Sequence, residues 1–152
     1  MITVSKEIQF QSNGMYDYMD VTEDIKEFVR ESGVKSGLVN VQTLHTTTAV
    51  LLNEKETGLL EDLKKSLDRL APRDIYYQHD DFSVRTENMC DDECRNGHSH
   101  CKAARLPSNH CINILDGKMQ LGTWQRILFF ELDRARTRKM QVLIIGTKNG
   151  GG

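Results

Sequence analysis

"HCINILDGKMQLGTWQRILFFELD", His110 to Asp133, reads as a strand, a tight turn at Asp116-Gly117 and a second strand carrying the apolar run Ile127 to Phe130. Asp-Gly between apolar segments is a strong short-range hairpin signal, because both central residues of that turn need positive φ. "RKMQVLIIG", Arg138 to Gly146, supplies a closing strand. Ile2 to Phe10 alternates loosely as a strand, and Asn13-Gly14 marks a turn after it. "SGLVNVQTLHTTTAVLLNE", Ser36 to Glu54, is rich in β-branched residues and predicts one or two strands.

Helices fill the gaps. Thr22 is placed to cap a helix whose Ile25, Phe28 and Val29 share a face and which Gly33 stops. Leu59, Leu60, Leu63, Leu67 and Leu70 recur at helical spacing until Pro72 ends the run. From Arg73 to Gly97 the chain is polar and acidic, which predicts a loop with room for one short strand. Loops of that length in compact domains are often functional. The expected class is α+β: one domain over residues 1–152, a mainly antiparallel or mixed sheet packed by two or three helices, and a glycine-rich tail disordered from about residue 147.

The 152 residues suffice to bury a core without disulfides or metal staples. With 20 basic and 22 acidic residues, net charge -2, nothing attracts the chain to nucleic acid or an anionic membrane. Its apolar runs fall far short of the ~20 residues that span a bilayer. The N-terminus lacks the order of a signal peptide, so a cytoplasmic protein is expected, with Cys90, Cys94, Cys101 and Cys111 as free thiols.

The residues that invite chemistry lie at "RNGHSHCKA", Arg95 to Ala103. If His98 to Cys101 is extended, His98 and His100 share a face and Cys101 takes the other. Two imidazoles on one face can reach one cation, and His45 or His79 is available as a third ligand. Asp80, Asp81 and Glu93 could orient the rings. A rival set uses Cys90, Cys94, Cys101 and one of the two histidines, though no second cysteine pair follows at zinc-module spacing. An ordinary strand that happens to carry two histidines is the third reading.

Longer matches carry a resemblance. "LDGKMQLGTWQRILFFELDRARTRKMQVLIIG", "VNVQTLHTTTAVLLNE", "YYQHDD" and "NGHSHCKA" together resemble the YjbQ-like family, described as secondary thiamine-phosphate synthases, from about Thr3 to Gly146. The resemblance implies an α+β domain that trimerises by packing its sheets around a threefold axis. It places the family's histidines on His45, His79 and His100, its Asn-Glu pair on Asn53 and Glu54, and "LGTWQ" on Leu121 to Gln125. This chain departs from the family form at three places: His98-Ser99-His100 for Pro-Ala-His, His110 for a Thr or Ser, and "DRAR" for "DGPR".

The activity the resemblance implies joins hydroxymethylpyrimidine diphosphate to thiazole phosphate as a secondary reaction. Zinc or magnesium would sit on His45, His79 and His100, with His98 as an accessory. Glu54 and His45 are the candidate catalytic groups. Thr46, Thr47, Asn53, Arg85, Thr123, Gln125 and Arg136 are candidates for binding phosphate. Two alternatives stay open: a metal-dependent phosphate-ester hydrolase, and a trimer that binds a metal or anion without catalysis.

Overall fold

A computed structural model describes residues 1–149. The glycine tail, 150–152, lies outside the described residues. Thr147, where the tail was expected to begin, still belongs to a strand.

Strand β1 is Ile2–Gln11 and β2 is Tyr18–Asp20, followed by helix α1, Thr22–Ser32. The Ser36–Glu54 stretch forms two strands, β3 (Ser36–Thr43) and β4 (Thr48–Glu54). Helix α2 is Thr57–Leu70 and a short helix, α3, is Gly97–Ala103. Strands β5 (Asn109–Leu115), β6 (Lys118–Met119), β7 (Gln125–Glu131) and β8 (Thr137–Thr147) complete the chain. They form two sheets, in the order β1-β8-β3-β5-β6 and β2-β7-β4, and every pairing is antiparallel. The α+β class and antiparallel sheet are as expected.

The Asp116-Gly117 turn closes a hairpin, with both residues at positive φ (51° and 78°), but only with the two-residue β6. The next strand does not continue that hairpin. Between Gln120 and Trp124 the chain leaves the first sheet, and β7 becomes the centre of the second. Its composition explains why. Ile127 and Phe129 face the core shared with the five-stranded sheet, while Leu128 and Phe130 pack with Leu60 and Leu67 of α2. A strand apolar on both faces must be covered on both. Here the chain itself covers them, so the run needs no partner subunit.

Two local expectations change. Thr22 is the first residue of α1, not its cap. Asp20 Oδ1 accepts from the Thr22 amide and hydroxyl, and Thr22 Oγ1 accepts from Ile127 N–H at 2.8 Å, tying the helix start to β7. The Arg73–Gly97 segment holds no strand, only a 3-10 turn at Gln78–Asp80. Gly33 does stop α1, at φ 68°, and α2 ends at Leu70, two residues before Pro72.

Candidate functional site

The main correction concerns the histidines. His98 to Cys101 is helical, inside α3, rather than extended. Seven residues are too few to show a helical period, and long-range contacts decide the conformation. Asp80 Oδ1 accepts from the Asn96 and Gly97 amides at 2.9 and 2.8 Å, satisfying orphan donors at the helix start. Ser99 Oγ donates to Leu132 O at 2.6 Å, pinning the helix to the end of β7. Gly97 is required because a Cβ there would lie 2.7 Å from that of Tyr77.

In a helix, residues two apart point about 200° away from each other. His98 is therefore buried on the far side, where Lys102 also lies. Lys102 is wholly buried and donates to Tyr16 Oη and Asp68 Oδ1 at 2.7 and 2.8 Å. His100 instead lines a cleft of about 990 Å³.

Three further segments join α3 in building that cleft. The β3–β4 turn brings His45, Thr46 and Thr47; the β7–β8 connection and the start of β8 bring Arg134, Arg136 and Arg138; the long loop brings His79, Arg85, Cys90, Asp92, Glu93 and Cys94. Arg134, Arg136 and Arg138 recur at period two, and the bend at 133–135 leading into β8 leaves all three lining the cleft. Arg138 is the fixed member. It is 2% exposed, and its Nε and Nη2 each donate to Glu131 at 2.6 Å while Nη2 also reaches Thr47 Oγ1 at 3.0 Å. Glu131 is itself fully buried and accepts further from Ser12 Oγ and the Leu132 and Asp133 amides. The result is a rigid guanidinium behind the threonine turn.

The three imidazoles of the cleft differ. His45 Nε2 accepts from Lys139 N–H at 2.8 Å, which leaves Nδ1 as its protonated nitrogen. Burial, then the nearby Arg138 charge, lowers its pKa, so it is a neutral donor. His79 Nε2 lies 3.2 Å from Arg85 Nη1, a permanent donor, and is likewise engaged. The His79 and His100 ring centroids are 4.5 Å apart. Burial, then His79, lowers the His100 pKa, and no protein group among the described residues engages its nitrogens.

This set does not fit a three-histidine metal centre. Two of the three Nε2 atoms are taken by protein donors, one of them a guanidinium cation. Among the described residues no three His, Cys, Asp or Glu side chains gather to hold an ion. The one buried side-chain atom without a partner among them, Asn96 Oδ1, is a neutral oxygen and adds no charge.

Of the other expected site residues, Thr46, Thr47, Arg85 and Arg136 line the cleft. Asn53, Glu54, Thr123 and Gln125 do not. Asn53 and Glu54 end β4, where Glu54 pairs with Gln125, whereas the cleft end of the same ladder pairs Thr48 with Glu131. Six strand steps at ~3.3 Å separate the two groups by roughly 20 Å. Sequence reasoning missed Arg134 and Arg138. The period-two "RARTR" was the available signal.

The fold and cleft define an antiparallel α+β protein with an arginine-lined cleft. Residues 6–147 match the sequence pattern of the family described as "UPF0047 protein YjbQ-like", and the chain belongs to that family. A UPF0047 protein of Methanothermobacter thermautotrophicus is 32% identical over 146 residues, covering 96% of this chain and 94% of its own. One from Archaeoglobus fulgidus is 37% identical over 136 residues, covering 90% and 97%. Among solved structures, a YbjQ-like protein of unknown function from Sulfolobus solfataricus superposes with TM-score 0.85 at 26% identity, covering 96% of this chain and 99% of the other. An uncharacterised conserved protein of the YjbQ/UPF0047 family from Clostridium acetobutylicum gives 0.79 at 33% identity, covering 92% and 99%. Among the described residues no helix is long and apolar enough to cross a membrane.

Proposed function

We propose that the cleft binds phosphorylated small molecules and catalyses departure of a diphosphate, in a reaction of the thiamine-phosphate synthase type. The observation that carries this reading is Arg138, buried, locked by Glu131 and Thr47, and lining a cleft it shares with Arg136 and His45. In that reaction the C–O bond between the hydroxymethyl carbon and the diphosphate breaks. The thiazole nitrogen supplies the electron pair of the new C–N bond, and pyrophosphate leaves with the bonding electrons.

The chief demand is to stabilise charge that grows on the departing oxygens. Preorganised donors do this best, since they need not reorient during reaction. Arg136, Arg138 and the Nδ1–H of His45 supply such donors. His100, neutral and unengaged, is placed to exchange a proton with the departing group. A divalent cation, magnesium rather than a resident zinc, would enter with the diphosphate.

A homotrimer is proposed with it. Leu38, Leu115 and Ile145 are exposed on strands of the five-stranded sheet, and Leu38 and Ile145 are cross-strand neighbours. A second copy could bring Asn53, Glu54, Thr123 and Gln125 toward a cleft they do not reach within one chain.

The test incubates the protein with hydroxymethylpyrimidine diphosphate, thiazole phosphate and magnesium, following thiamine phosphate and pyrophosphate by chromatography. Losing one positioned donor costs on the order of 100-fold in turnover, and Arg136→Ala and His100→Ala should each fall by about that while keeping the native circular dichroism spectrum. Wild-type protein that forms no product and binds no pyrophosphate would overturn the reading.

A further inference from the structure

The arginines of the cleft are of two kinds. Arg138 is sealed against Glu131, with 3% and 0% of the two side chains exposed. Arg134 is open to solvent, and its partner comes from the opposite wall. Its Nη2 donates to Asp92 Oδ2 at 2.6 Å and to Asp92 O at 3.0 Å. Side-chain exposures are 39% for Arg134 and 76% for Asp92. Both residues line the cleft. The Asp92 carboxylate thus occupies a guanidinium that would otherwise face an incoming anion.

We propose that Arg134 is a second anion subsite at the edge of the cleft, taking a phosphate group separate from the one held by Arg136 and Arg138. Asp92 stands in for that phosphate until the ligand displaces it. The inference rests on the anion-binding reading above and deepens it: the cleft accepts two phosphoryl groups, as a reaction between two phosphorylated substrates requires.

Three physical facts favour exchange. An exposed ion pair holds weakly, so displacing Asp92 lowers affinity by no more than about five-fold. A phosphate dianion offers more charge and more acceptor oxygens than a carboxylate, and guanidinium binds it bidentately. The bond from Arg134 to the Asp92 carbonyl can persist when the carboxylate swings out, so the loop stays tethered. Arg85 holds that loop independently, donating to the carbonyls of Glu87 and Asn88.

The test is calorimetric titration with inorganic phosphate at low ionic strength, on wild type, Asp92→Asn, Arg134→Gln and Arg136→Ala, each checked for an unchanged melting curve. Asp92→Asn removes the competing charge and keeps the backbone contact. It should tighten the weaker of two phosphate sites about two- to five-fold, the range an exposed ion pair allows. Arg134→Gln should abolish that site and spare the one lost in Arg136→Ala. If phosphate binds in an Arg136-dependent manner but Asp92→Asn and Arg134→Gln match wild type, the second subsite is refuted and the anion-cleft reading survives. If no variant binds phosphate at millimolar concentration, both fall.

Discussion

Replacing Arg138 with Met tests the rigid wall of the cleft. The substitution keeps an unbranched chain of similar reach and strands the Glu131 carboxylate, whose side chain has no exposure and whose two oxygens both accept from Arg138. Breaking a buried ion pair from one side costs about 3–5 kcal/mol, mostly because one charge is left without compensation. Glu131 keeps three other donors, Ser12 Oγ at 3.0 Å and the amides of Leu132 and Asp133 at 3.1 and 2.9 Å. The loss should therefore fall near the lower bound, about 3 kcal/mol. For a chain of this size that lowers Tm by about 6–12 °C. The double variant Arg138→Met with Glu131→Gln removes both charges and should recover at least half of the loss, because a neutral amide can share the remaining donors. Urea unfolding of wild type, the two single variants and the double variant closes the cycle. If Arg138→Met unfolds within 1 kcal/mol of wild type (about the size of an exposed pair), Glu131 is not held as described and the preorganised wall is refuted.

Three further outcomes follow from the same geometry. His45, His98 and His100 all have pKa values lowered foremost by burial, then by Arg138, Lys102 and His79 respectively. The folded state therefore binds fewer protons than the unfolded one, so this stability is intact above the unfolded value of about 6.5 and is lost as pH falls below it; Tm in a non-binding buffer should drop between about pH 7 and 5, and a flat or rising profile would contradict the burial. Lys102→Met should cost only about 1–2 kcal/mol, since Asp68 is 51% exposed and can rehydrate; it should also let the Asp68 pKa, now held down against burial by hydrogen bonds from Lys102 and Tyr16, return toward the ordinary carboxylate range, read by NMR titration. Replacing Cys90 and Cys94 together with Ser should change stability by no more than ~0.5 kcal/mol, the usual range for surface sites, because both are free thiols at the cleft wall; a large loss would revive a role for them in binding metal.

Much of the architecture was legible because its signals are local. The Asp116-Gly117 turn, the Gly33 stop and the leucine spacing of α2 each reflect the conformational preference of a few adjacent residues, and each is found where the pattern placed it. The site was half legible. His45, His79, His100, Thr46, Thr47, Arg85 and Arg136 do line one cleft. A seven-residue helix shows no period, however, so His98 was put beside His100 when α3 turns it away.

What the sequence determined by itself is therefore the longer strands, the two longer helices and most of the polar groups that line the cleft. The tertiary structure alone decided which sheet each strand joins. It moved β7 out of the Asp116-Gly117 hairpin, because a strand with Leu128 and Phe130 on one face and Ile127 and Phe129 on the other must lie between α2 and the larger sheet. It also decided which arginine is rigid and which is exchangeable. That distinction depends on whether the partner carboxylate is buried, as in Glu131, or exposed, as in Asp92. Burial is set by contacts between residues far apart in the chain, and no local pattern encodes it.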